Sequence, residues 1–191
     1  MIISAEFRSL GTPRQPAFFF CAQPIRTGHV VNASARPVTE PVFIDEPRDP
    51  DLRSLYKYWN ALRGERPMPE RADIDPGKIP KLLPHILMYT VVPGGGYTVR
   101  LVGEEVVRFA GRNATGDPAG SALPPRAGEL LNKILDEVAT DRTPKFRAGK
   151  AHWQPDKSHR DFEACFLPLS ADGSAVDIIL CGIRFSALRR I

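Results

Sequence analysis

From residue 49 onward, apolar and polar residues recur with two different periods, and the switches between them predict an order of elements. Leu52, Leu55, Trp59 and Leu62 are spaced as one stripe of a helix. Asp49 and Pro50 supply its start: Asp caps well, and a proline at the first helical position lacks an N–H that would be unpaired anyway. Gly64 and Pro67 end it. Asp75 and Pro76 repeat the start signal and predict a short second helix through Leu82 and Leu83 that stops at Pro84.

The period then changes. Ile86 to Val92 is rich in strand formers and is joined through Pro93-Gly94-Gly95-Gly96 to Tyr97-Thr98-Val99-Arg100-Leu101-Val102, the pattern of a hairpin. Alternation predicts Tyr97, Val99 and Leu101 on one face and Arg100 on the other. Glu104 to Ala110 reads as a short helix offering Val106, Val107 and Phe109 to the core, and 111–125 as a Gly-, Ala- and Pro-rich loop. Ala127, Leu130, Leu131, Ile134, Leu135 and Val138 form the apolar face of a longer helix, opposite Glu129, Lys133, Asp136 and Glu137. Three strands follow, at about 145–153, 161–169 and 176–185. Strands, then helices, then strands predict an α+β domain: an antiparallel sheet with helices packed on one face, preceded by an N-terminal helix.

Residues 1–45 hold no sustained period, and prolines at 13, 16, 24, 37 and 41 break any long element. This stretch is expected to be a poorly ordered tail, with Phe18-Phe19-Phe20 as its one anchor-like feature. The domain is expected over 46–186, with a basic end at 187–191. Of the net charge of +4, the domain itself carries little: 20 Lys and Arg oppose 19 Asp and Glu between Glu46 and Ser186. A nearly neutral domain offers no clustered cations to displace counterions, so no nucleic-acid partner is expected. No run approaches the roughly 18 apolar residues of a membrane span, and Ala17 to Ala22 is too short for a secretory core, so the expectation is a cytoplasmic protein. Three cysteines (Cys21, Cys165 and Cys181) without C-x-x-C spacing predict neither a disulfide framework nor structural zinc.

Six blocks, in this order, resemble bacterial PAS domains of the PAS_5 type. They are Tyr58-Trp59-Asn60-Ala61-Leu62-Arg63-Gly64, Arg71-Ala72-Asp73-Ile74-Asp75-Pro76, Leu82-Leu83-Pro84-His85, Val99-Arg100-Leu101-Val102-Gly103, the stretch Gly111 to Gly116, and Phe166-Leu167-Pro168-Leu169. The resemblance implies a PAS-like five-stranded antiparallel sheet whose first and last strands are central neighbours. It also implies a sensory or dimerisation role without catalysis. The motif residues have structural accounts too. Asp75 can cap the helix that Pro76 opens, and Asp73 and Asp75 lie near Arg63, Arg66 and Arg71 for ion pairs worth about 0–1 kcal/mol each. Arg100 is expected to pair with a carboxylate.

PAS domains often sense through a cofactor, and the chain can be screened for each. Photochemical flavin chemistry needs a reactive cysteine between the second and third strands, and there is no cysteine between Cys21 and Cys165. Haem needs a strong axial ligand on the long helix, and 127–140 has no His, Cys, Met or Tyr. His152, His159 and Asp161 around one hairpin do not make a ligand set by spacing, so no metal is expected. Without a G-x-S-x-G, P-loop or dinucleotide fingerprint, no catalytic residues are expected. What remains is an apolar pocket between sheet and long helix, with Val107, Phe109, Leu131, Leu135, Phe146 and Phe166 as its candidate lining. The expected function is a stand-alone module that binds a small molecule, a protein partner in trans, or both. The alternative is a ligand-free module that homodimerises through Leu55, Tyr58, Trp59 and Leu62, aromatic residues being common interface anchors.

Overall fold

The computed structural model describes residues 41–186. The Phe18–Phe20 run, Cys21, Arg189 and Arg190 lie outside them. The elements run β1 (Val42–Phe43), α1 (Pro50–Arg63), β2 (Ile86–Val91), β3 (Tyr97–Val102), α2 (Glu104–Ala110), α3 (Pro125–Asp141), β4 (Lys145–Lys150), β5 (Asp161–Leu169) and β6 (Ile178–Phe185). The strands form one sheet in the order β1-β4-β5-β6-β2-β3, every neighbour antiparallel. The first strand of the glycine-turn hairpin therefore lies beside the last strand of the chain, as the α+β, PAS-like reading requires.

Register fixes what each face carries. Gly182 of β6 pairs with Cys165 of β5 and Ile86 of β2, and all three point to one side. There a Cβ on Gly182 would lie 2.6 Å from Leu55 Cδ2 and 3.0 Å from Leu52 Cδ2. So α1 covers this face, and the missing side chain lets the helix approach closely. The expectation of helices on one face describes α2 and α3, which cover the opposite side; α1 is the second layer. Asp49 Oδ1 caps α1 by accepting from the N–H groups of Asp51 (2.9 Å) and Leu52 (3.1 Å). Its N-terminus is pinned to the sheet, since Glu163 of β5 accepts from Asp49 N (3.0 Å) and Arg184 of β6 pairs with Asp49 and Asp51. At the other end Trp59, 2% exposed, donates its indole N–H to Pro168 O at 2.9 Å. β4 stops pairing at Lys145↔Phe166, so this flank of β5 is open at Pro168. The proline's absent N–H costs nothing there, and Trp59 takes the carbonyl.

Three local expectations change. The sheet has a sixth strand: Val42 and Phe43, inside the stretch read as tail, pair with Ala148 and Arg147. Two residues carry no periodicity, and only the edge of β4 makes them a strand. The short helix expected from Asp75 to Leu83 is replaced by 3₁₀ turns at Pro76–Lys78 and Leu83–His85, after another at Arg71–Asp73. Prolines at 76, 80 and 84 interrupt any continuous ladder, although Asp75 does cap, accepting from Gly77 N at 2.8 Å. In β3 a bulge intervenes: Tyr89 pairs with Val99 but Met88 pairs with Leu101, leaving Arg100 as the extra residue. Val99 and Val102 consequently share the face of α3, while Leu101 turns to the other and is 42% exposed.

Two tests follow from this packing. Gly103 donates to Ile86 O at 2.7 Å, and a Cβ there would overlap the carbonyl oxygens of Leu83 and Pro84. Those atoms are backbone and cannot swing aside, so Gly103→Ala should lower stability by about 1–3 kcal/mol; an unchanged urea midpoint would contradict the packing. His85 Nε2 accepts from Arg184, while its Nδ1 is buried with no partner among the described residues. Burial foremost, then the Arg184 charge, holds the imidazole below its ordinary pKa, against a partial counter-effect from Glu105, Asp51 and Asp49. The unfolded chain thus takes up a proton near pH 6.5 that the folded chain refuses, and stability should fall as pH drops from 7.5 toward 5.5. His85→Gln should flatten that slope, as read by denaturation at the two pH values.

Candidate functional site

A cavity of about 360 Å³ lies between the sheet and its α2–α3 side. Its floor is the alternate set of residues on the strands: Phe162, Ala164 and Phe166 of β5, Cys181, Ile183 and Phe185 of β6, then Leu87 and Tyr89 of β2 with Val99 and Val102 of β3. Val106 and Phe109 of α2 and Ala127, Leu130, Leu131 and Ile134 of α3 form the roof. Core side chains ordinarily fill such a space to crystal-like density. Here part of the wall is small, with Ala110, Ala114, Ala122 and Ala127 in the lining. Volume and lining suit a small-molecule site.

Of the pocket residues expected from sequence, Phe109, Leu131 and Phe166 line the cavity. Val107, Leu135 and Phe146 do not, and each has a reason. On α2 the inward positions are 106, 109 and 110, so Val107 is turned about 100° away and is only half-buried. Leu135 lies beyond the cavity and is fully buried in the core. Phe146 pairs with Cys165, which puts it on the α1 face, edge-on to Tyr56 with ring centroids 5.0 Å apart. Register identifies the residues that sequence reading missed: once Phe166 is known to face the cavity, alternation adds Ala164 and Phe162.

Polar groups are few and specifically placed. Tyr89 is 4% exposed and lines the cavity, yet its hydroxyl makes no hydrogen bond with any described residue; burial holds the phenol well above its ordinary pKa. His152 also lines it, and its Nε2 is buried without a partner among the described residues. Arg147, 7% exposed, donates to Pro41 O at 2.8 Å and lies over the Phe43 ring at 4.3 Å. The roof is fastened through Tyr97 of β3, which donates to Asp136 of α3 at 2.7 Å. Phe109 and Phe185 stack at one end of the cavity, under Lys157 and Arg160. Cys181 faces the cavity and Cys165 faces α1; both are free, and burial pushes Cys165 up to about 12 and Cys181 well above its ordinary value, so neither is a thiolate nucleophile at neutral pH.

The remaining expected residues are placed as follows. Leu55 and Trp59 are buried against the chain's own sheet, which corrects their assignment to an interface with a second copy. Tyr58 and Leu62 are half-buried, and Tyr58 accepts from Asp75 N at 2.9 Å. Asp73 caps Glu70 N and pairs with Arg66 at 2.6 Å; the backbone bond and then that guanidinium hold it below the usual carboxylate range. Arg63 and Arg71 bond to Asn60 and to the carbonyls of Arg66 and Ile74, not to the expected carboxylates. Arg100 is exposed, and no carboxylate among the described residues pairs with it, contrary to expectation. Pro84 belongs to the turn under Gly103, Gly111 closes α2, and Gly116 N donates to Val99 O at 2.7 Å, covering the edge of β3. His159 is exposed and Asp161 pairs with Lys150; among the described residues no three His, Cys, Asp or Glu gather around a metal-sized point.

One family model, PAS_5, described as a PAS domain, matches residues 48–183. No curated protein and no solved structure matches the chain. The matched span contains β2 to β5, all but the last two residues of β6, and nearly all of the cavity's lining.

The Tyr89 hydroxyl, on a residue that lines the cavity, generates a test. Removing a hydroxyl that lacks a protein partner leaves nothing unsatisfied, so Tyr89→Phe should match or exceed the wild type in stability. A loss of more than about 1 kcal/mol by chemical denaturation would show that the hydroxyl holds the fold.

Proposed function

This chain belongs to the PAS_5 family of PAS domains, and from that premise we propose that it is a ligand-responsive regulatory module whose cavity occupancy is read by a protein partner. PAS domains in general are sensory or interaction modules. The observation that favours sensing over simple interaction is the 360 Å³ cavity, into whose lining fall Tyr89 and the buried His152 Nε2, which the described residues leave unpartnered. A module built only to dock a partner needs no such space.

Geometry supplies a route from cavity to surface. On β5, Ala164 and Phe166 face the cavity while Glu163 and Cys165 face α1. On β6, Cys181 and Ile183 face the cavity, while Gly182 touches Leu52 and Leu55 and Arg184 pairs with the α1 N-terminus. A ligand that displaces the floor of the cavity displaces residues one position from those that seat α1. Such a ligand biases two placements of α1 to the extent that it binds them with different affinity. The reading as a ligand-free homodimer is weaker, because Leu55 and Trp59 are committed internally and α1 turns Arg53, Ser54, Lys57 and Asn60 outward.

Filling the cavity separates these readings. Ala164→Leu should leave the protein folded, since it places an apolar side chain in apolar space, while excluding small molecules. Native mass spectrometry of protein purified from its own cells should find a small molecule on the wild type and none on Ala164→Leu. If the wild type carries nothing, and no compound in a metabolite thermal-shift screen distinguishes it from Ala164→Leu, the sensory proposal is wrong.

A further inference from the structure

We infer that the cavity takes a neutral, largely apolar carbonyl compound, such as a ketone, ester or lactone, whose carbonyl oxygen accepts from the Tyr89 hydroxyl. This deepens the ligand-binding reading above, on which it rests, by naming the chemistry of the polar anchor. Tyr89 is 4% exposed and lines the cavity, and its hydroxyl makes no hydrogen bond with any described residue. Buried tyrosine hydroxyls ordinarily find a partner. The oxygen is not one of the sealed side-chain atoms that lack one, so it meets open space, and the space that Tyr89 borders is the cavity. His152 differs in this respect. Its Nε2 is closed off, so a ligand reaches it only after the chain moves, whereas the Tyr89 hydroxyl is already presented.

The surroundings limit what can meet that hydroxyl. On β2, β3 and β6 the other lining residues are Leu87, Val99, Val102, Ile183 and Phe185, hydrocarbon throughout, with the Cys181 thiol. An ordered water wants about two to four polar partners, where these strands supply one hydroxyl and one thiol. A carboxylate or ammonium group there would be stripped of its own water, and no charged side chain from β2, β3, β5 or β6 reaches the lining to offset that cost. Cations line the cavity elsewhere, and Lys150 and Arg112 are already paired with Asp161 and Asp117. A neutral ligand draws on none of them. A phenol is far more acidic than an alcohol, so it donates strongly and accepts weakly, and at neutral pH it keeps its proton. Its complement is an acceptor with no proton of its own, which a carbonyl oxygen is. At about 30 Å³ for a water-sized unit, the volume holds roughly a dozen such units, which suits one carbonyl on a body of about ten carbons.

The probes 4-phenylbutan-2-one, butylbenzene and 3-phenylpropanoate share one frame and differ at its head, which is a ketone, a methylene or a carboxylate. Nonan-2-one replaces the ring with a chain. Binding is measured by titration calorimetry, with Trp153, a lining residue, as a fluorescence reporter. One of the two ketones should bind the wild type at least about tenfold tighter than 3-phenylpropanoate. Tyr89→Phe should weaken that ketone about three- to tenfold and hold butylbenzene as tightly as the wild type or tighter. A second measurement needs no variant: hydrogen bonding lowers a carbonyl stretch, so the infrared band of the isotope-labelled ketone bound to the wild type should lie below its position in hexane. Equal ketone binding by wild type and Tyr89→Phe, a stretch at the hexane position, a carboxylate bound as tightly as the ketones, or binding of butylbenzene alone each overturns the carbonyl inference and leaves the cavity a ligand site. Failure of all four probes to bind, in the wild type as in Ala164→Leu, overturns the inference and the ligand-binding reading together.

Discussion

Two-sided burial of β5 and β6 is the constraint from which the other features follow. A strand covered on both faces must be apolar at almost every position, and from Ala164 to Leu169 and from Ile178 to Gly182 it is. One cover, α1, must come close enough to exclude water. It does so where Gly182 presents no side chain to Leu52 and Leu55, and it is held in register by Asp49, Glu163 and Arg184 at one end and by the Trp59–Pro168 hydrogen bond at the other. Substituting a buried aromatic such as Trp59 in that layer removes both packing and a buried hydrogen bond. The helix that reads in sequence as a candidate interface is therefore half of the core.

The other cover is incomplete, and its incompleteness leaves the cavity. α3 lies down tightly through Leu135 and Val138, which are fully buried, and Tyr97 clasps Asp136 beside them. Toward its N-terminus, Ala127 of α3 and Ala122 of the loop before it are among the small residues that line the space between sheet and helix. Because β5 and β6 alternate, their residues that floor this space have neighbours on the α1 face. The cavity floor and the seat of α1 share the same two strands.

The order of elements was legible because it depends on local period and punctuation. Asp49-Pro50, the glycine turn at 93–96 and the amphipathic face of 127–138 each identify an element without reference to distant residues. The site was half legible. Phe109, Leu131 and Phe166 could be found by assuming an apolar space between sheet and helix, but Phe146 could not be rejected without knowing that it pairs with Cys165. Arg147 shows the same limit. In a chain it is one arginine among many, and only its position on the cavity face of β4 distinguishes it.

Sequence alone settled what local chemistry controls: which segments are helix or strand, where they stop, and the family to which residues 48–183 belong. Tertiary structure decided what depends on pairing and on the sum of volumes. It added β1, which exists only against β4, inverted Leu101 through a bulge, put α1 across the sheet from α3, and left a mostly apolar cavity between the sheet and α3. The physical reason is range. Periodicity and capping act within a few residues, whereas register, packing and the field inside a cavity are set by residues that meet only after the chain has folded.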